Sequence, residues 1–287
     1  MGKRARGTFV LLHIALAAAL ARGIAEPAAA DGVPTIAIDE AHGHEGAASG
    51  FFKPLADLLK GDGGRVVPYR DGFAAASLAA IDVLVVPGDG TRIGDREGDL
   101  VRDWVRGGGS LLVAATAPAW VDAGERLAAR FGVEAGGGRV FDRLSGGGIT
   151  TALEFSRGNG RLGDHPILRG RGRTEQIARV RTAAGESLGV PRGAAALLKL
   201  SATAREAMTR DDLESEEFAA RQEAGIAGSF SIPVAGRAQA VALPFGKGRL
   251  VVLGDASLLS AAGLGASDAD NRQFALNVVH WLSRRLT

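Results

Sequence analysis

The densest group of residues able to do chemistry is the segment from Asp39 to His44, which follows the apolar run Val33–Ile38. Two imidazoles flanked by carboxylates can bind a divalent ion such as Zn²⁺ through His42 and His44, or share proton transfer. The same segment can instead be a solvated loop in which Asp39 or Glu40 caps the next helix. We take Asp39, Glu40, His42 and His44 as candidate ligand-binding residues, and His42 and His44 also as candidate metal ligands.

Other polar residues follow later apolar runs. Gly88 allows close backbone approach to a ligand, and Asp89 offers a carboxylate, although the pair also fits an ordinary turn. Asp255 can add a carboxylate to the same site or cap a short helix. His165 precedes Pro166, which suits either a site wall or a structural hydrogen bond. All four residues are candidate ligand contacts.

These residues require a scaffold, and strand and helix patterns alternate from residue 33 to about 135. Apolar runs predict strands at Val33–Ile38, Arg65–Tyr69 (with Pro68 suggesting its end), Ile81–Pro87 and Ser110–Ala115, and helical spacing predicts helices at Phe51–Leu59, Asp95–Arg106 and Asp122–Phe131. Such alternation favours a doubly wound, mostly parallel, flavodoxin-like α/β sheet. In open sheets of this kind, ligands bind beyond the carboxyl ends of the strands.

The pattern changes between about 136 and 245, where glycine triplets separate short strand-like pieces. Paired strands are predicted at Arg237–Leu243 and Arg249–Leu253, followed by a helix over Asn271–Arg285. We interpret residues 31–287 as one α/β domain with a β-rich insertion at about 136–245.

The N-terminal segment, residues 1–30, has the features of a cleavable secretory signal. Three basic residues precede the apolar run Thr8–Ala21, and Ala28–Ala30 offers a cleavage site before Asp31. The run is too short for a typical membrane span, although retention as an anchor is an alternative. The whole chain carries 34 basic and 32 acidic residues, but cleavage would leave a slightly acidic protein. We expect a periplasmic or secreted protein without nucleic-acid binding or a stable membrane span after cleavage.

Several segments together carry a family resemblance. They are Ile38–His42, Asp82–Pro87, Trp104–Leu112, Asp164–Ile167, Gly248–Asp255 and Asn277–Leu282. The chain resembles class I glutamine-amidotransferase-like domains, and most closely an uncharacterised secreted bacterial family related to trehalose-utilisation-like domains. The resemblance covers most of residues 33–287 and implies the α/β fold.

The resemblance also places a nucleophile where this chain has none. Amidotransferases carry a catalytic Cys after the strand that matches Ser110–Ala115, whereas this sequence reads Val113-Ala114-Ala115-Thr116-Ala117 and contains 0 Cys. Glutamine hydrolysis through a thiolate is therefore excluded. Thr116 could replace the Cys only if a base activated its hydroxyl, and it remains a candidate contact.

Three functions follow as expectations. The first is an exported, catalytically inactive amidotransferase-like domain that binds a small ligand or an envelope protein. The second, motivated by the trehalose-utilisation resemblance, is a carbohydrate-related hydrolase or isomerase that uses His42 and His44, with or without a divalent metal as cofactor. The third is a structural subunit of a cell-envelope assembly.

Overall fold

Buried apolar strands form the centre of the molecule. In a computed structural model of the chain, the described residues are 32–44, 46–88, 93–115, 123–143, 148–207 and 231–287. The predicted signal, Asp89 and Thr116 lie outside these ranges. Seven strands make the main sheet: β1 (Thr35–Asp39), β2 (Arg65–Tyr69), β3 (Val83–Pro87), β4 (Ser110–Ala114), β9 (Ala195–Lys199), β12 (Ala238–Phe245) and β13 (Gly248–Leu253). Their spatial order is β2-β1-β3-β4-β13-β12-β9.

The first five strands in this order run parallel, and β12 and β9 pair antiparallel at the far side. A mixed α/β fold with a mostly parallel central sheet is thus confirmed. Strand β2 has the predicted bounds, Arg65–Tyr69, and Pro68 lies one residue before its end. The proline is tolerated because β2 is an edge strand, where a missing N–H breaks no ladder on its outer side.

Helices cover both faces of this sheet. They are α1 (Lys53–Gly61), α2 (Ala75–Leu78), α3 (Asp95–Gly107), α4 (Ala123–Ala129), α5 (Pro166–Arg169), α6 (Ala261–Leu264) and α7 (Asn271–Leu282). Alternate residues of a strand point to opposite faces, so Val83 and Val85 pack in the cluster containing α1 and α7, while Leu84 and Val86 pack with α3. Burial on both faces explains why β3 reads as a continuous apolar run.

Smaller sheets lie beside the main one. The antiparallel strands β5 (Arg139–Arg143), β6 (Ile149–Thr150), β10 (Arg205–Ala207) and β11 (Ser231–Pro233) form a four-stranded sheet, and β7 (Glu154–Ser156) pairs with β8 (Arg179–Arg181). These strands fall within the region predicted to be β-rich. From the same region, β9 and β12 join the main sheet instead.

The end of the chain returns to the core as predicted. Strands β12 and β13 form an antiparallel hairpin, and α7 buries Phe274, Val278 and Trp281. This helix ends at Leu282, before the predicted end at Arg285. No helix within the described ranges is long and apolar enough to cross a membrane.

Candidate functional site

The order of the parallel strands reverses at one point along the sheet. The chain passes from β1 through α1 to β2 on one side, and from β2 through α2 to β3 on the other side of β1. The carboxyl ends of β1 and β3 therefore flank a topological switch point, which is the usual ligand position in open α/β sheets. Asp39 ends β1 and the buried Gly88 follows β3, so both sequence candidates lie at this edge.

A buried carboxylate, Asp39, organises the residues that follow β1. It is 0% exposed and lies 3.0 Å from His42 Nδ1 and 3.3 Å from His44 Nδ1, and it accepts a hydrogen bond from the Ala41 backbone N–H at 3.1 Å. Burial by itself would raise the pKa of Asp39, but the hydrogen bonds from His42 and His44 outweigh it and hold that pKa below its ordinary value. Asp39 thus serves as an ionised anchor for both rings.

His42 is held between two carboxyl groups. Its Nδ1 faces Asp39, and its Nε2 lies 3.3 Å from Glu97 Oε1, an atom that also accepts the Phe73 backbone N–H at 2.9 Å. The Phe73 ring lies 4.4 Å from the imidazole, centroid to centroid. Burial lowers the pKa of His42, but Asp39 and Glu97 outweigh this effect and raise it above its ordinary value. The ring is thus fixed in orientation and biased toward the protonated form.

Glu97 is the site residue that sequence reasoning missed. It lies in the first turn of α3, 55 positions beyond His42, and its side chain is 30% exposed while that of His42 is 8% exposed. The available signal was its place at the start of a helix that follows β3, because such a helix begins at the carboxyl edge of the sheet. Glu97 is the more solvent-accessible member of the pair.

Glu40 contacts the backbone of its own loop and a neighbouring arginine. Its side chain is buried, accepts the Ala48 backbone N–H at 3.1 Å and receives the Arg70 Nε at 3.1 Å. These contacts join the loop after β1 to the residue that follows β2. Glu40 thus fixes the loop that carries His42 and His44.

Asp255 lies after β13, at the same edge of the sheet, and is committed to backbone groups. It is 2% exposed and accepts hydrogen bonds from the N–H groups of Ala183 at 2.8 Å, Ala184 at 3.0 Å and Ser257 at 2.9 Å. The last of these caps a 3₁₀ helix at Ala256–Leu259. The capping alternative is therefore present, and a ligand contact by Asp255 stays a prediction.

His165 lies apart from the Asp39 group. Its Nδ1 accepts the Ile167 backbone N–H at 3.3 Å, which caps α5, and its ring packs edge-on against Trp281 with centroids 4.8 Å apart. Burial, with the charges of Arg169 and Arg249, lowers the pKa of His165 to about 4. The structural hydrogen bond that the sequence allowed is present.

The geometry of His42 and His44 does not by itself decide whether they bind a metal ion. Within the ranges that the structure describes, no group of three or more His, Cys, Asp or Glu side chains is arranged to hold a metal ion. His42 and His44 both direct Nδ1 to Asp39, a contact that commonly orients metal-bound histidines. A metal bound by His42 and His44 stays a prediction, and metal content by mass spectrometry is its direct measurement.

Comparisons with solved structures show what the fold resembles. The mmIFT52 N-terminal domain matches at a TM-score of 0.60 and 16% identity, covering 87% of this chain and 97% of that one. The cytoplasmic protein STM1381 from Salmonella typhimurium LT2 matches at 0.51 and 14%, covering 86% and 98%. A ThuA-like protein from Bacteroides uniformis ATCC 8492 matches at 0.49 and 14%, covering 89% and 94%. The first two likenesses show a shared fold.

Comparison by sequence identifies the family. No curated protein matches the chain. The model of the family described as "Domain of unknown function (DUF4350)" matches residues 52–279, from the residue before α1 into α7. Since this match spans well over half of the sequence, the chain belongs to the DUF4350 family.

Proposed function

We propose that this chain is an exported, flavodoxin-like domain of the glutamine-amidotransferase-like superfamily that binds a small polyhydroxylated molecule, such as a sugar, at the switch point. One observation carries the proposal: His42 is fixed by buried Asp39 while its Nε2 lies 3.3 Å from the partly exposed Glu97 Oε1. A few convergent polar groups held in fixed positions are the usual basis of ligand orientation.

The chemistry of the pair suits hydroxyl groups. A hydroxyl can donate to the Glu97 carboxylate and accept from His42 Nε2–H, so one sugar can satisfy both atoms. The Phe73 ring, packed on His42, adds an apolar surface beside them. With Asp39, Glu97 and Glu40 against His42 and Arg70, the charges favour a neutral ligand over a phosphorylated one.

Export and the loss of glutaminase chemistry complete the proposal. Support for export is the N-terminal pattern of basic residues, apolar run and small residues in 1–30. Support for the lost activity is the count of 0 Cys, which leaves no thiolate nucleophile.

The test is a titration of D-glucose and α,α-trehalose into the protein, observed through the imidazole ¹⁵N resonances of His42. We expect a saturable shift in the wild type, its loss in Glu97→Gln, and its retention in Asp103→Asn. Asp103 is a matched control because it is an exposed carboxylate on the same helix that pairs with Arg106. If neither sugar moves the His42 resonances of the wild type, the proposal is wrong.

A second candidate is acid–base catalysis on a sugar by the same pair. It is favoured by the Asp39–His42 contact, which orients the ring, and by Asp39 and Glu97 together, which raise the pKa of His42 above its ordinary value so that the ring can hold a proton for transfer. Glucose release from α,α-trehalose that His42→Gln abolishes would support hydrolysis. Sugar binding without release would leave the protein a binding domain.

A further inference from the structure

The helix turn that carries Glu97 is weakly held by its own sequence. Helix α3 begins after Gly94, which offers no side-chain cap, and Gly98 follows Glu97 within the first turns. Glycine is a poorer helix former than alanine, and uncapped first-turn N–H groups leave a helix end free to fray. The position of Glu97 therefore needs support from outside α3.

Arg130 supplies that support. It follows α4, and its guanidinium bridges two carboxylates of α3, with Nη1 2.6 Å from Asp99 Oδ1 and Nη2 2.7 Å from Asp95 Oδ1. Its stem crosses α3 at Gly98, where a Cβ would collide with Arg130 Nε. The absence of a side chain at Gly98 is what lets the guanidinium reach both carboxylates.

The geometry of a helix separates this contact from the site. Asp95 and Asp99 are four residues apart and share one face, whereas Glu97 is rotated by about 200° from Asp95 and projects from the opposite side. Arg130 thus holds the outer face of the turn while Glu97 meets His42 on the inner face. Because the Arg130 guanidinium binds carboxylates on two successive turns, it also restricts the rotation of α3 about its axis.

From these contacts we infer that Arg130 is a positioning residue, which holds the first turn of α3 so that Glu97 stays against His42. The inference rests on the proposed role of the His42–Glu97 pair in ligand binding. It assigns the placement of Glu97 to a residue 33 positions further along the sequence.

The experiment measures hydrogen exchange of the Phe73 backbone amide, with no sugar present, because that N–H donates to Glu97 Oε1 at 2.9 Å. In Arg130→Gln we expect the protection factor of this amide to fall about tenfold, because the carboxylate of Glu97 withdraws from it, while the amides of strand β3 keep their protection. Arg130→Lys keeps the charge and should restore part of the loss. Arg96→Gln is the matched control, since it removes an exposed arginine from the same turn of α3, and its Phe73 protection should equal that of the wild type.

Gly98→Ala provides a second route that does not depend on the tolerance of Arg130→Gln. The added methyl displaces the guanidinium but raises helix propensity, so the helix remains formed and the Phe73 amide should lose protection as in Arg130→Gln. Wild-type protection of Phe73 in both variants would overturn the inference. Lost protection in these variants of a protein whose wild type binds neither sugar would uphold this inference while the proposed function fails.

Discussion

The fold requires His165 in its neutral form, and this predicts a loss of stability in mild acid. The Nδ1 that accepts the Ile167 N–H becomes a donor when the ring is protonated, so charging His165 breaks the cap of α5. Burial, together with the Arg169 and Arg249 guanidinium groups, also opposes the charge and lowers the pKa of His165 from 6.5 to about 4. The folded state consequently binds this proton more weakly than the unfolded chain.

The sign and size follow from proton linkage. With a lowered folded pKa, the stabilisation is present above the ordinary value of 6.5 and is lost as pH falls toward 4. A difference from 6.5 to about 4 corresponds to about 3 kcal/mol over the whole range, at about 1.4 kcal/mol per unit. Between about pH 7 and pH 5 the same relation gives about 2 kcal/mol. We expect about 1 kcal/mol, because the ring is only partly buried and solvent screens its charge.

The assay compares the wild type with His165→Asn. Asparagine keeps an oxygen that can accept the Ile167 N–H but does not titrate. Urea unfolding should show the variant less stable at neutral pH, because it lacks the ring on Trp281, and the difference in unfolding free energy should shrink by about 1 kcal/mol toward pH 5. The other titrating groups are common to both proteins, so their contributions cancel in the comparison. From about pH 7 to 8 the difference in unfolding free energy between wild type and variant should stay constant. A gap that is the same at pH 7 and pH 5 would refute the reasoning.

Three further predictions concern single positions and are measured by urea unfolding. Asp255→Ala should destabilise the protein by about 3 kcal/mol, because three backbone N–H groups lose their acceptor, and Asp255→Asn by less. Arg284 has a φ of 63° and donates to two backbone carbonyls, so Arg284→Ala should be less stable than Arg284→Gly by about 1 kcal/mol, since only glycine relieves the left-handed backbone. Gly248→Ala should cost more than about 2 kcal/mol, because its Cβ would collide with the carbonyl oxygens of Val105 and Gly109. Equal stability within any of these comparisons would contradict the stated cause.

The main sheet could be predicted from sequence because its signals are local. Strands β3 and β4 are buried on both faces and therefore read as unbroken apolar runs. The small sheets gave no comparable signal. Strand β10 is a three-residue segment whose pairing with β5 joins positions more than sixty residues apart, and its length is too short to show a period.

The candidate site was predictable only in part. The residues after β1 were found because they cluster in sequence, and the structure does bring Asp39, His42 and His44 together. The helix period distinguishes Glu97 from Asp95 and Asp99, because Glu97 precedes the buried Val101 and Val105 by four and eight residues and shares their face. The period cannot show that this face brings Glu97 to His42, because that contact joins positions 55 residues apart and depends on how α3 packs beside the loop after β1.

Asp39 and Asp255 are two residues that the sequence could not distinguish and the structure does. Both follow buried parallel strands at the same edge of the sheet, and the sequence offers each the same alternatives of ligand contact and helix cap. The structure separates them by their partners: Asp255 accepts backbone N–H groups from a segment 71 and 72 positions away, whereas Asp39 accepts imidazole Nδ1 groups from its own loop. Asp255 thereby holds the backbone of a distant segment, whereas Asp39 orients an imidazole whose Nε2 lies 3.3 Å from Glu97 Oε1. In the proposed function, the side chains that the loop after β1 supplies therefore matter more than the carboxylate itself.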